Sequence, residues 1–239
     1  VAEPPLSSLW DGLSPHLIAS FYEVNRDGSR VNYDLTVKAP LMDVNIDVTQ
    51  NWQSPFENVG QSNFPTLQQL LQSGAALPLA QIADDKLGTD LKRLVASVDG
   101  KSSVTKLNSI QVWSGAPPAK IQGTAVFRAW KDAVSEVENP VDQLMKWSLP
   151  VNLAADGLIF SRLADKGASV DTVLPSEVPV LIAMKYKNRT YSPMVIESIG
   201  MPLSSPVNAD GRYVELSVPI TLCTLTAIDR SDWINYTKI

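Results

Sequence analysis

One histidine and one cysteine are all that the 239 residues contain. Zinc sites of the usual types draw four ligands largely from those two residue types, so ligand count argues against one. A single cysteine, Cys223, also rules out an internal disulfide, which is compatible with a reducing compartment without demanding one. It reads as a small strand residue rather than a reactive thiol. His16 stands beside Ser14 and Pro15, and no Gly-x-Ser-x-Gly elbow occurs, so a hydrolase triad has no sequence signature. The Gly-x-Gly-x-x-Gly dinucleotide fingerprint and the phosphate loop are absent as well, and no cofactor is expected.

Long apolar runs are also missing. None approaches the roughly 18 residues that a membrane helix needs. The opening Val-Ala-Glu-Pro-Pro lacks a basic region followed by an apolar core, which predicts no signal peptide, and the missing initiator Met points to processing. Positive charge is short: 20 Lys and Arg stand against 25 Asp and Glu, a net charge of −5. Gripping nucleic acid by phosphate neutralisation needs the opposite balance on one face. The local cluster Lys185, Lys187 and Arg189 is too small to reverse it.

The carboxylates offer two close pairs, Asp84/Asp85 and Glu136/Glu138. Residues one or two apart on a helix do not face each other, so these are expected to be solvated structural acids rather than an acid/base pair. The segment Asn208-Ala-Asp210-Gly211 faintly resembles a calcium loop, yet Pro206 stands at the first ligand position and Ser217 at the last. It is expected to be a turn. Asn188-Arg-Thr190 and Asn235-Tyr-Thr237 match glycan acceptors only formally.

What the chain does have is period-two alternation. In residues 211–228 the apolar positions Val214, Leu216, Val218, Ile220 and Leu222 share one face, and Glu215, Ser217, Thr221 and Cys223 the other. This predicts a half-buried strand of about 15 residues, roughly 50 Å long, with a kink, bulge or exposed edge at Pro219. Residues 191–201 supply an antiparallel partner across a connection ending in Asp210-Gly211, and residues 178–186 alternate again before the polar turn Lys187-Asn188-Arg189. Nearer the amino end, Phe21 to Val24 leads into a turn at residues 25–29. Val31, Tyr33, Leu35 and Val37 then alternate, as do Val44, Ile46 and Val48 beyond an Ala39-Pro40-Leu41 link, which predicts a two-stranded hairpin. Residues 104–112 and the alternation at Ile121, Gly123, Ala125, Phe127 and Ala129 add two strands around a tight loop at residues 113–118. Residues 52–58 read as a surface loop in which Trp52 and Phe56 are core lids or, alternatively, anchors for another molecule.

Helical spacing is confined to a few places. Pro15 permits only a short helix between Trp10 and Phe21. A short helix is expected at residues 66–72, and Leu79, Ile82, Ala83, Leu87, Leu91, Leu94 and Val95 make the best helical stripe, weakened by Gly88. Asn139-Pro140 reads as a cap followed by Pro at the first helical position, with Val141, Leu144, Met145 and Trp147 as the apolar face and Pro150 as the stop. The resulting expectation is an α+β, β-rich fold: an antiparallel β-sandwich or barrel with inserted helices. Residues 1–239 form a single domain in this reading, with residues 1–20 an N-terminal arm and about 64–98 a helical insertion.

Three stretches carry a family likeness. Trp113-Ser-Gly-Ala-Pro-Pro-Ala-Lys-Ile-Gln-Gly-Thr-Ala-Val-Phe-Arg-Ala, with Glu136-Val-Glu-Asn-Pro-Val-Asp-Gln-Leu and Leu149-Pro150, resembles the middle of baseplate and tail-tube-initiator proteins of contractile-tailed bacteriophages. The C-terminal hairpin is similar to their closing strands, and Trp52-Gln-Ser-Pro-Phe-Glu to an earlier loop. The resemblance implies a tail-tube-like domain forming a ring, commonly a hexamer, at the tube-baseplate junction. Self-association through β-strands, contacts with tail tube, baseplate hub and sheath-initiator proteins, and DNA passing through an acidic lumen without specific binding would follow. It implies a virion location after assembly in the host cytoplasm, no membrane insertion and no catalysis. A second class of function is a carbohydrate- or cell-surface-binding module of the tail that uses Trp10, Trp52 or Trp233 as stacking platforms. A third is an enzyme with an unrecognised carboxylate site.

Overall fold

Leu216, Val218, Ile220 and Leu222 are all buried, so the alternation read near the carboxy end does place one apolar face inward. The computed structural model describes residues 6–53, 110–153 and 176–236. The strands in chain order are β1 (Ile18–Val24), β2 (Val37–Asp47), β3 (Asn51–Gln53), β4 (Val112–Gly115), β5 (Lys120–Arg128), β6 (Leu181–Tyr186), β7 (Arg189–Ile199) and β8 (Glu215–Thr224). Six of them close an antiparallel barrel in the order β1-β2-β5-β8-β7-β6. The remaining two form a small separate sheet, β3-β4. The architecture is therefore the expected α+β, β-rich antiparallel one. Chain contacts divide into two compact units, Val1–Thr49 with Pro117–Ile239, and Gln50–Ala116. The helices expected at 66–72 and 79–95, within the insertion at 64–98, lie outside the described residues, as do residues 104–109 and 154–175.

Phe21, Val37, Phe127, Ile182, Met184 and Met194 fill the barrel together with the inward face of β8. Closure has a direct consequence for β7 and β8. The C-terminal hairpin is paired on both sides, β8 with β5 and β7, and β7 with β6 and β8, so it offers no free edge to the expected self-association through β-strands. β8 is also shorter than the predicted 15 residues, and Pro219 lies on an interior strand. Its missing N–H is tolerated because it faces the place where β7 stops. Gly200, just past that end, donates to the Pro219 carbonyl at 2.9 Å, so the pair keeps one of its two usual bonds. The register shift in this ladder falls on β7, between Ile196 and Ser198, rather than on β8.

The amino-terminal hairpin is redrawn too. Ala39-Pro40-Leu41 is not a link between two strands but part of one strand, β2. Pro40 sits at the handover where pairing with β1 ends at Ile18 and pairing with β5 begins at Leu41, a position that needs no ladder donor. Residues 31–36, despite their alternation, form a loop. Arg30 explains this: its guanidinium donates to the carbonyls of Asn32 and Tyr33, both at 3.0 Å, and to the Thr36 hydroxyl, and it lies 4.4 Å from the Tyr22 ring centre. Carbonyls engaged in that way are not available to a sheet partner.

Among the described residues, the longest helix packs on the barrel. A π-helical turn, Val134–Glu138, runs directly into α1 (Asn139–Ser148), so Asn139 is helical and is not the cap that its sequence suggested. Val137, Pro140, Val141, Leu144 and Trp147 form the buried face, against β7 and β2. Pro140 has no N–H to offer the Glu136 carbonyl one turn earlier. That carbonyl instead has the Ser8 hydroxyl 3.3 Å away. Ser8 is buried, its hydroxyl also reaches the Arg128 carbonyl, and Leu6 bridges Val37 in parallel, so residues 6–8 of the expected arm are laid onto the barrel. Residues 15–17 make a single 3-10 turn, as Pro15 allowed. A second helix, α2 (Arg230–Asn235), was not anticipated. Asp229 caps it through a reciprocal box with Asp232, and Tyr236 just beyond packs its ring 5.1 Å from that of Tyr191.

Candidate interaction surfaces

Exposed tryptophan is the most conspicuous surface feature of the described residues. In the β3-β4 sheet Trp52 lies directly across from Trp113, and the two are 57% and 54% exposed. Directly opposed residues share one face of a sheet, so the two tryptophans occupy a single rung. Its setting is held by polar bonds: the Trp113 indole N–H donates to Gln50 Oε1 at 2.8 Å, and the Ser114 hydroxyl donates to the Asn51 carbonyl at 3.1 Å. Both segments were expected to be loops. They are strands because the long-range pairing of 51–53 with 112–115 supplies the ladder that neither stretch signals alone. Trp52 is thus no core lid, and its expected companion Phe56 lies outside the described residues.

The barrel unit has its own apolar recess of about 610 Å³, lined among others by Leu9, Trp10, Leu13, Met42, Val126 and Trp130. Trp10 is half-buried there, whereas Trp130 is 60% exposed, with the Arg128 guanidinium 5.6 Å from its ring centre. Trp233, on α2, is covered on one side by Arg189, whose guanidinium lies 4.9 Å from the ring centre. Of the three proposed stacking platforms, Trp52 alone is more than half exposed. Trp113 and Trp130 were not singled out, because nothing in a local pattern tells an outward tryptophan from an inward one.

The candidate chemical groups do not converge. His16 sits exposed on its 3-10 turn. Cys223 is half-buried on β8, and its thiol is pushed up by burial and by the Glu197 carboxylate, the direction opposite to that of an activated thiolate. Glu136 and Glu138 are structural, but not by being solvated. Glu136, 8% exposed, accepts from the backbone N–H groups of Trp130 and Lys131. Glu138 accepts from the Arg212 guanidinium at 3.0 Å and the Tyr213 N–H at 3.2 Å, tying the start of α1 to the β7-β8 connection. Asp84 and Asp85 lie outside the described residues. Asn208 and Gly211 form the expected turn: Asn208 Oδ1 accepts from the N–H groups of Asp210 and Arg212, and Gly211 takes φ +76°. Among the described residues no three His, Cys, Asp or Glu side chains are placed to hold a metal, and no helix is long and apolar enough to cross a membrane.

Compared with protein-family models and with curated proteins, the chain matches none.

Proposed function

We propose that the chain is a structural subunit of a contractile phage tail that assembles into a ring at the tube-baseplate junction. The sequence resemblance suggests the particle, and the antiparallel barrel with a helix against it agrees with the tail-tube-like domain which that resemblance implies. The observation that carries the assembly reading is the Trp52-Trp113 rung. Two large apolar side chains held in register and more than half exposed are what an interface core uses, since aromatic anchors dominate association energies. The closed barrel leaves β7 and β8 no edge for a neighbouring copy, so strand-mediated contact between copies belongs to β3 and β4, whose outer edges have no ladder partner among the described residues.

Electron micrographs of the chain at high concentration, alone and mixed with tube and baseplate proteins of the same particle, test this. Rings are the expected result. A chain that sediments as a monomer in every mixture overturns the proposal. The exposure of the same two tryptophans also favours a second reading, glycan stacking, which predicts sugar binding lost in Trp52→Ala while rings still form.

A further inference from the structure

Three lysines meet at the outer wall of the barrel without a carboxylate among them. Lys38 on β2 and Lys185 on β6 both register against Ser20 on β1, so one rung runs Lys38, Ser20, Lys185 across three adjacent strands. All three point outward, because their strand neighbours Ala19, Phe21, Val37, Ala39 and Met184 are buried inside. Directly opposed residues stand about 5 Å apart at Cβ, so both lysine stems can reach the space above Ser20. Lys187 joins them from the two-residue β6-β7 turn, where Lys187 and Asn188 have φ +48° and +61°, the primed turn geometry that holds a tight hairpin tip. These side chains, with His16, line a recess of about 340 Å³ that contains no acidic residue.

Like charges on one rung repel, and no carboxylate in the recess offsets them; the Tyr186 ring, 5.0 Å from the Lys187 ammonium, faces that one lysine only. Among the described residues none of the three ammonium groups pairs with a carboxylate, although Lys120, Arg128 and Arg212 elsewhere each do. In a chain of net charge −5, acid partners are not scarce, so this carboxylate-free cluster is a local choice of the fold. We propose that the recess is a binding site for a small phosphate-type oxyanion. Lysine binds phosphate as a point charge with three rotatable donors, and the Ser20 hydroxyl, the His16 ring and the Asn188 amide add further hydrogen-bonding groups around the same space. A multivalent anion brought there relieves the repulsion among the three amines. The site holds a compact anion rather than a duplex, whose grip needs charge spread along a face.

Titration calorimetry of the full chain with inorganic pyrophosphate at low ionic strength reads this directly. Saturable one-site binding is expected, with a Kd on the order of 1 mM or tighter. Lys38→Gln and Lys185→Gln are each expected to weaken it about tenfold or more, the loss of one charge-assisted contact. Lys146→Gln, an exposed change on α1, leaves it unaltered. Thermal melts supply a second readout: pyrophosphate raises the midpoint of the parent chain and not that of the Lys38/Lys185 double variant. Absence of saturable heat, undiminished binding by the double variant, or an equal loss in Lys146→Gln each overturns the assignment. So does displacement of pyrophosphate by equimolar duplex DNA phosphate, which would give the recess to nucleic acid.

Discussion

Ser8 shows how one proline sets the environment of a residue more than a hundred positions away. Pro140 withdraws the donor that a regular helix would give the Glu136 carbonyl, and the buried Ser8 hydroxyl stands at that carbonyl instead. Ser8→Ala removes a buried hydroxyl that reaches the Arg128 and Glu136 carbonyls, at a cost of about 1–3 kcal/mol. A lower urea midpoint with an unchanged m-value is the expected record, and an unshifted midpoint would mean that water takes over the bond. Gly200 is a steric case. A Cβ there would stand 3.0 Å from the Pro219 ring, which has little freedom to move. Gly200→Ala is therefore expected to destabilise by about 1–3 kcal/mol, measured by the same denaturation, whereas Gly211, with open space around its Cα, is constrained by its φ of +76° alone.

At the scale of elements, what was legible was whatever a short window determines. The inward sets of β8 and β5 and the stripe Val141, Leu144, Trp147 of α1 came straight from periodicity, and the Asp210-Gly211 turn from its dipeptide. What was not legible depended on partners far along the chain. Trp52 and Trp113 became strand residues through each other, Pro40 became tolerable because β1 ends beside it, and residues 31–36 lost their strand to the Arg30 guanidinium. The Lys38-Ser20-Lys185 rung likewise exists only through register. Helix α2 is the opposite case, since its Asp229 and Asp232 box is a local signal that was passed over. Two tests belong here. Leu144→Ala empties the centre of the buried face of α1 and is expected to cost about 2–5 kcal/mol in chemical denaturation. For α2, the Ser231 hydroxyl first and then the Asp232 N–H hold the Asp229 carboxyl below its ordinary value of 3.8. A folded value lower than the unfolded one stabilises above the unfolded value, and that contribution disappears as pH falls through the folded one. Helical chemical shifts of residues 230–235 are thus expected to persist at mildly acid pH and to fray below about 3.8. Unchanged shifts in strong acid would show that the cap contributes nothing.

For the whole molecule, closure of the barrel decides where association can occur. A six-stranded ring of hydrogen bonds has no spare backbone, so the C-terminal ribbon that alternation made so visible is spent within the subunit. Among the described residues, the routes left for copies to meet are side-chain surfaces and the small β3-β4 sheet. The second route joins both requirements of a specific contact, because backbone edges would set the register and the Trp52-Trp113 rung would supply the buried apolar core. Such a contact is apolar at its centre, and apolar contacts are not screened by salt, whereas exposed charges lose most of their reach beyond about 10 Å at 0.1 M salt. Sedimentation should accordingly find self-association preserved or strengthened as sodium chloride is raised. Trp113→Ala should weaken it by about 2 kcal/mol or more, near thirtyfold, with the thermal midpoint of the barrel unmoved. Association that collapses with salt while surviving Trp113→Ala would transfer the interface from the aromatic rung to a charged face of the barrel.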